Sequence, residues 1–207
     1  MGNRAYNFNA GPSALPVEVL QKAKEELTDY KGLGMSIMEV SHRSKAYDEV
    51  HEQALQRVKD LLQVPSNYKV LFLQGGASTQ FAMIPMNFLQ GDKLGSYVIT
   101  GSWAKKAAQE ADLAEGLHIA AQMDQFNRIP ELKSIVPSER AAYLHVTSNE
   151  TIEGIQYKHF PDSGNVPLIA DMSSDIMSRP LDVNQFGMIY AGAQKNLGPS
   201  GVTLVII

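Results

Sequence analysis

The sequence predicts an α/β fold: a mostly parallel seven-stranded sheet with helices on both faces and its last strand antiparallel. Three observations carry that expectation. Seven short apolar runs recur, at 70–73, 97–100, 118–121, 142–146, 168–170, 188–191 and 202–207. Several are consecutive apolar residues rather than alternating ones, as strands buried on both faces require. Helical spacing fills some of the intervals, while the last two runs are joined by a loop too short for a helical crossover, so only that pair should be antiparallel.

Taken in order, residues 8–13 (Phe-Asn-Ala-Gly-Pro-Ser) are turn chemistry, and Pro16 sits where a first helical turn tolerates it. Leu20, Ala23, Leu27 and Tyr30 then mark an amphipathic helix over 16–30. Tyr47, Val50, Ala54, Val58 and Leu61 mark a second, ended by Pro65. Two more helical patterns lie at 78–88 and 103–113. The boundaries expected are an amino-terminal arm at 1–15 and one large domain at 16–207.

Apolar residues make up 44% of the 207, charged residues 19%, and the net charge is -4 with scattered basic residues. That balance fits a globular protein and argues against nucleic acid or a membrane surface as partner. There is no cysteine, hence no thiolate nucleophile and no cysteine metal site. No metal site is expected. With no signal-like apolar core at the start, the expected compartment is the cytoplasm. The chain stops inside an apolar run, which suggests a piece of a longer protein.

In a sheet of this kind, ligands bind beyond the carboxyl ends of the strands, so the residues after each run are the candidates. The first run leads into Gln74-Gly75-Gly76-Ala77-Ser78, where glycines admit a ligand to the backbone and the N–H groups of Ala77 and Ser78 make an anion site. A purely structural strand-to-helix turn reads the same way. It is neither a dinucleotide fingerprint nor a Walker loop. Trp103, the only tryptophan, stands after the second run, where it could stack on a flat ring or simply fill core. Residues 147–151 offer hydroxyls, Thr151 among them; a capping turn explains them equally well. Asp171 ends a strand that should be buried, where its carboxylate needs a cation or strong donor, a pyridinium N–H for instance; a helix cap is the alternative. Lys195 follows the sixth run in a Gly/Pro-rich loop. Alone it is a turn lysine; beside an anion site, an aromatic stacker and a buried carboxylate, its amine could form a Schiff base with a carbonyl cofactor.

With those residues in hand, the chain resembles the pyridoxal-phosphate enzymes of the aspartate-aminotransferase fold, of the class-V aminotransferase type. The likeness rests on residues 8–13, 38–43, 74–78, 170–174 and 190–201. It is nearest to the branch that moves an amino group between glutamate and 3-phosphohydroxypyruvate, giving phosphoserine in serine biosynthesis. The resemblance implies pyridoxal 5'-phosphate as cofactor, with Lys195 holding it covalently and moving the substrate proton. It implies Asp171 at the pyridine nitrogen, Trp103 on the ring and Thr151 near the phenolic oxygen. Ala77, Ser78 and Gln194 would hold the phosphate. His42 and Arg43 would bind the substrate's distal anion, reaching a neighbouring subunit's site in a homodimer. A smaller carboxyl-terminal domain of that family is absent from these 207 residues. Another aminotransferase or lyase of the same fold, or a non-catalytic cofactor-binding fragment, is the alternative.

Overall fold

The computed structural model describes residues 4–207, so the first three residues of the expected arm lie outside the described residues. Among the described residues, nine strands, four α-helices and three short 3-10 turns make up the regular structure. They run β1 (Val70–Leu73), β2 (Leu94–Ile99), β3 (Leu117–Gln122), β4 (Ala141–Thr147), β5 (Asn149–Glu150), β6 (Ile155–Gln156), β7 (Leu168–Asp171), β8 (Met188–Gly192) and β9 (Thr203–Ile206). The helices are α1 (Val17–Glu25), α2 (Lys45–Leu62), α3 (Gly76–Phe88) and α4 (Ser102–Leu113).

Seven strands form one sheet in the order β1-β9-β8-β7-β4-β2-β3. Strands β2, β3, β4, β7 and β8 pair parallel, as the apolar runs predict. Strand β9 pairs antiparallel with β8 and also with β1, so two antiparallel contacts exist where one was expected. The reason is topological: β9 turns back from β8 and enters between β8 and β1. Strand β1 therefore runs the same way as the parallel set, and its carboxyl end opens on the same edge as theirs. Strands β5 and β6 form a separate small hairpin that the sequence reading does not contain.

Alternate residues of the sheet feed two cores. Tyr97, Tyr143, Tyr190 and Val205 face α3 and α4, meeting Phe81, Ile84, Ala107 and Ala111. Leu144, Val146, Ala170, Ile189 and Leu204 face the other way, toward Val58 and Leu62 of α2 and irregular segments that contribute Ile135, Ile176 and Phe186. Helices thus lie on both faces, but turns rather than helices cover much of the second.

Helix α1 departs from expectation. It ends at Glu25 rather than 30, and none of its residues is buried; Tyr30 is buried instead, in a separate 3-10 turn, Tyr30–Gly32. Short helices owe most of their stability to the surface they bury. With no core beneath it, the stripe of Leu20, Ala23 and Leu27 has nothing to extend it. Among the described residues no helix is long and apolar enough to cross a membrane.

The antiparallel insertion makes a direct prediction. Leu204, 1% exposed on β9, should lose about 2–5 kcal/mol of stability as Leu204→Ala. Leu61→Ala, at a position 71% exposed on α2, should stay within about 0.5 kcal/mol of the parent. Urea unfolding midpoints measure both, and equal losses would contradict the placement of β9 in the core.

Candidate active site

The carboxyl ends of the parallel strands surround one pocket of about 220 Å³. Of the residues singled out in the sequence, Ala77, Ser78, Trp103, Thr151, Asp171, Gln194 and Lys195 all line it. His42 and Arg43 do not. They lie exposed in the turn ahead of α2, whose first turn Ser44 caps by accepting a hydrogen bond from the Tyr47 N–H at 3.3 Å.

Asp171 closes β7, buried among β4 and β8. Its Oδ1 accepts hydrogen bonds from the N–H and the hydroxyl of Ser173, at 2.9 and 2.6 Å. The Ser173 hydroxyl in turn accepts from the Gly192 N–H at 3.0 Å, tying the carboxylate to the next strand. Burial raises the carboxyl's pKa; the Ser173 hydrogen bonds and the charge of Lys195 work against that rise. Beneath Asp171, on the face toward α3 and α4, His145 Nε2 meets the Tyr190 hydroxyl at 2.8 Å. Burial pushes this imidazole down to about 3, so it carries no charge at neutral pH.

Lys195 sits in the turn after β8, half-buried. Its Nζ donates to the Ser174 hydroxyl at 3.2 Å and to Thr151 Oγ1 in a short contact. The only ion pair among the described residues is Lys31–Glu49 at 4.0 Å, so Lys195 has no carboxylate within that distance. Burial lowers its pKa, with Asp171 and Glu150 opposing from further off. The loop itself is pinned from two sides. The Asn196 side chain donates to the Ile176 carbonyl at 2.7 Å, and the Ser13 N–H donates to the Gln194 carbonyl at 2.9 Å.

That last contact identifies a wall the sequence reading missed. Residues 11–13 of the arm dock on the lysine loop, and a Cβ at Gly11 would come within 2.9 Å of Lys195 Cγ. Gly11 is there because the backbone must pass that close. Thr147 and Asn149, within the 147–151 cluster, and Ser174, three residues past Asp171, also line the pocket.

Two helix N-termini reach the pocket, and they are treated differently. In α4, Trp103 N–H and Ala104 N–H donate to Glu150 at 3.0 and 2.9 Å, and Ser102 donates to Glu153 through its N–H at 2.9 Å and its hydroxyl at 2.6 Å. In α3, the left-handed Gly75 caps without any side-chain hydrogen bond, leaving the first-turn N–H groups of Gly76, Ala77 and Ser78 without side-chain acceptors. A Cβ on Gly75 would strike the Thr79 side chain at 2.2 Å, so the tight turn that exposes these groups requires glycine. An anion entering the pocket therefore meets an open positive helix end at α3 and a filled one at α4.

A model of the class-V aminotransferase family matches residues 5–207. The curated phosphoserine aminotransferase of Niallia circulans is 62% identical over 209 residues, spanning 100% of this chain and 58% of its own length. The solved phosphoserine aminotransferase from Bacillus circulans subsp. alkalophilus superposes with a TM-score of 0.96 at 62% identity, covering 99% of this chain and 57% of that one. The pyridoxal-phosphate-bound phosphoserine aminotransferase from Trichomonas vaginalis gives 0.92 at 44% identity, over 99% and 61%. The chain thus spans about three fifths of the length of these relatives.

Glu150 offers a pH test of this geometry. Burial raises its carboxyl from 4.5 to about 7, against the two backbone hydrogen bonds that favour the ionised form. The folded chain then holds this proton more tightly than the unfolded one, so its contribution to stability falls as pH rises from about 4.5 to about 7. Urea unfolding should show wild type losing on the order of 2–3 kcal/mol over that range relative to Glu150→Gln, whose side chain does not titrate. Parallel pH profiles would contradict the assignment.

Proposed function

The chain belongs to the class-V aminotransferase family, and from that premise we propose that it is the cofactor-holding part of a phosphoserine aminotransferase. Such an enzyme transfers an amino group between glutamate and 3-phosphohydroxypyruvate in serine biosynthesis, and in the analogous step of pyridoxine biosynthesis. In this reading residues 1–15 are an arm and 16–207 the pyridoxal-phosphate-binding domain, and the full activity belongs to a protein of the relatives' length. One observation carries the proposal: an amine free of carboxylate partners, a buried carboxylate, an indole and an open helix end line a single pocket.

The residues fit pyridoxal phosphate on physical grounds. Asp171 is a buried carboxylate without a cation at ion-pair distance, and both its hydrogen bonds fall on Oδ1; a protonated ring nitrogen would supply the missing charge. The α3 N-terminus and the Gln194 side chain suit a phosphate dianion. Bound there, the cofactor supplies an aldehyde that condenses with amines and a pyridinium ring that accepts electrons. Lys195 would hold it through Nζ, and the same burial that destabilises the ammonium eases release of its proton. Asp171 would face the ring nitrogen and favour its protonated form. Trp103 would stack on the ring, and the Thr151 hydroxyl, already in contact with Nζ, would hydrogen-bond near the phenolic oxygen.

The reading extends to a cytoplasmic homodimer. The dimer part is supported by an apolar surface: a cavity of about 260 Å³ lined by Leu71, Met83, Phe88 and Val205, with Met86 exposed beside it on α3. Exposed apolar surface of this kind suits contact with a second subunit. His42 and Arg43, exposed and outside this chain's own pocket, are then assigned to the partner's site, on the substrate's distal anion.

Adding pyridoxal phosphate to the purified chain should produce a visible absorption band that Lys195→Ala abolishes. A band that survives the substitution would sink the assignment. In a protein of the relatives' full length, Arg43→Ala should raise KM for phosphoserine by about tenfold or more while changing that for alanine little. Equal effects would remove Arg43 from the distal-anion role.

A further inference from the structure

Glu150 is 0% exposed, and among the described residues no lysine or arginine lies within ion-pair distance of it. A carboxylate so placed is costly to bury, and structures keep such groups where their hydrogen bonds hold something in place. Its Oε2 accepts from the Trp103 backbone N–H at 3.0 Å, and Oε1 from the Ala104 backbone N–H at 2.9 Å and the Thr100 hydroxyl at 3.4 Å. Room for it is made by Gly101, where a Cβ would lie 2.5 Å from the carboxylate carbon. Its backbone is fixed by the β5–β6 hairpin, in which Glu150 pairs with Ile155 and its carbonyl accepts from the Gly154 N–H at 2.8 Å. The next residue, Thr151, touches Lys195 Nζ. One side chain therefore joins the start of α4, where the indole is anchored, to the hairpin whose hydroxyl meets the amine.

We propose that Glu150 is the positioning residue of this site, whose carboxylate sets the Trp103 indole and the Thr151 hydroxyl in register with Lys195. The inference rests on the cofactor reading above only for what the indole is held against; the anchoring itself belongs to the chain alone. The indole is held on a cationic flank as well, with Lys106 Nζ 4.5 Å and Lys195 Nζ 5.4 Å from its ring centroid. Charge-assisted hydrogen bonds to backbone N–H groups are about twice as strong as neutral ones, so removing the charge should loosen this anchor. The groups that face Glu150 are Glu153 and Tyr157 at its own hairpin, Asp171 on β7, Tyr190 on β8 and Lys195 in the loop. The carboxylates among them disfavour its ionised form and Lys195 favours it.

Trp103 is the only tryptophan, so its emission reports on this site and nothing else. Acrylamide quenching of the chain without added ligand should rise about twofold or more in Glu150→Gln at pH 8. Wild type should show the same rise between pH 8 and pH 6, and the variant should not. Glu153→Gln, which leaves the bonds to Trp103 and Ala104 intact, should quench like wild type. In a second arm, pyridoxal phosphate should bind Glu150→Gln about tenfold more weakly than wild type. Unchanged quenching in a folded Glu150→Gln, or unchanged pyridoxal phosphate affinity beside altered quenching, would overturn the proposal. If Glu150→Gln does not fold, flat wild-type quenching from pH 8 to pH 6 overturns it. Failure of wild type to take up pyridoxal phosphate would sink the cofactor reading instead, with the quenching arm still deciding the anchor.

Discussion

A half-buried amine with no carboxylate inside ion-pair distance is the constraint on which the rest of the site depends. Burial disfavours the charged form of Lys195, and a nearby carboxylate in direct contact would restore it and quench the amine as a nucleophile. The fold avoids this. Asp171 shares the pocket but is held on β7 by Ser173, and the nearest polar contacts of Nζ are hydroxyls, Thr151 and Ser174. The loop that carries the lysine is held by Asn196 from one side and by the Gln194–Ser13 contact from the other. Reactivity here is a consequence of what surrounds the nitrogen.

The same electrostatic logic divides the two helix ends. The α4 N-terminus is filled by Glu150 and Glu153, and the α3 N-terminus is left open by a glycine cap. Had both been open, an anionic ligand could settle at either; with one filled by the carboxylates of buried Glu150 and part-buried Glu153, α3 offers the only unfilled helix end of the two, and the indole stays at a fixed place beside it. Filling α4 costs stability as the pH rises through about 7, because burial disfavours the ionised form of Glu150. Functional sites commonly carry this kind of local expense.

Much of this was legible in the sequence, for a physical reason. Buried central strands must be apolar along their length, so β2, β4, β7, β8 and β9 announce themselves, the runs of the edge strands β1 and β3 complete the set, and ligand chemistry must lie just past the parallel ones, where Ala77, Trp103, Asp171 and Lys195 stand. What stayed hidden depends on distance in sequence. The pairing of β9 with β1 joins residues more than a hundred positions apart, and nothing local encodes it. Gly11 reads as part of a turn until the lysine loop is seen against it. Glu150 looks like any polar residue in a capping turn, since its partners begin 46 residues earlier. Helix α1 failed in the opposite sense: its spacing is amphipathic, but in this chain no core lies under the stripe.

The most direct test of the central claim is chemical trapping followed by mapping. The chain is mixed with pyridoxal phosphate, reduced with borohydride and digested, and the modified peptide is sequenced by mass. One equivalent of reduced cofactor on Lys195, and little on the surface lysines, is the result this account predicts. Modification spread over several lysines, or concentrated on a lysine other than Lys195, would contradict it.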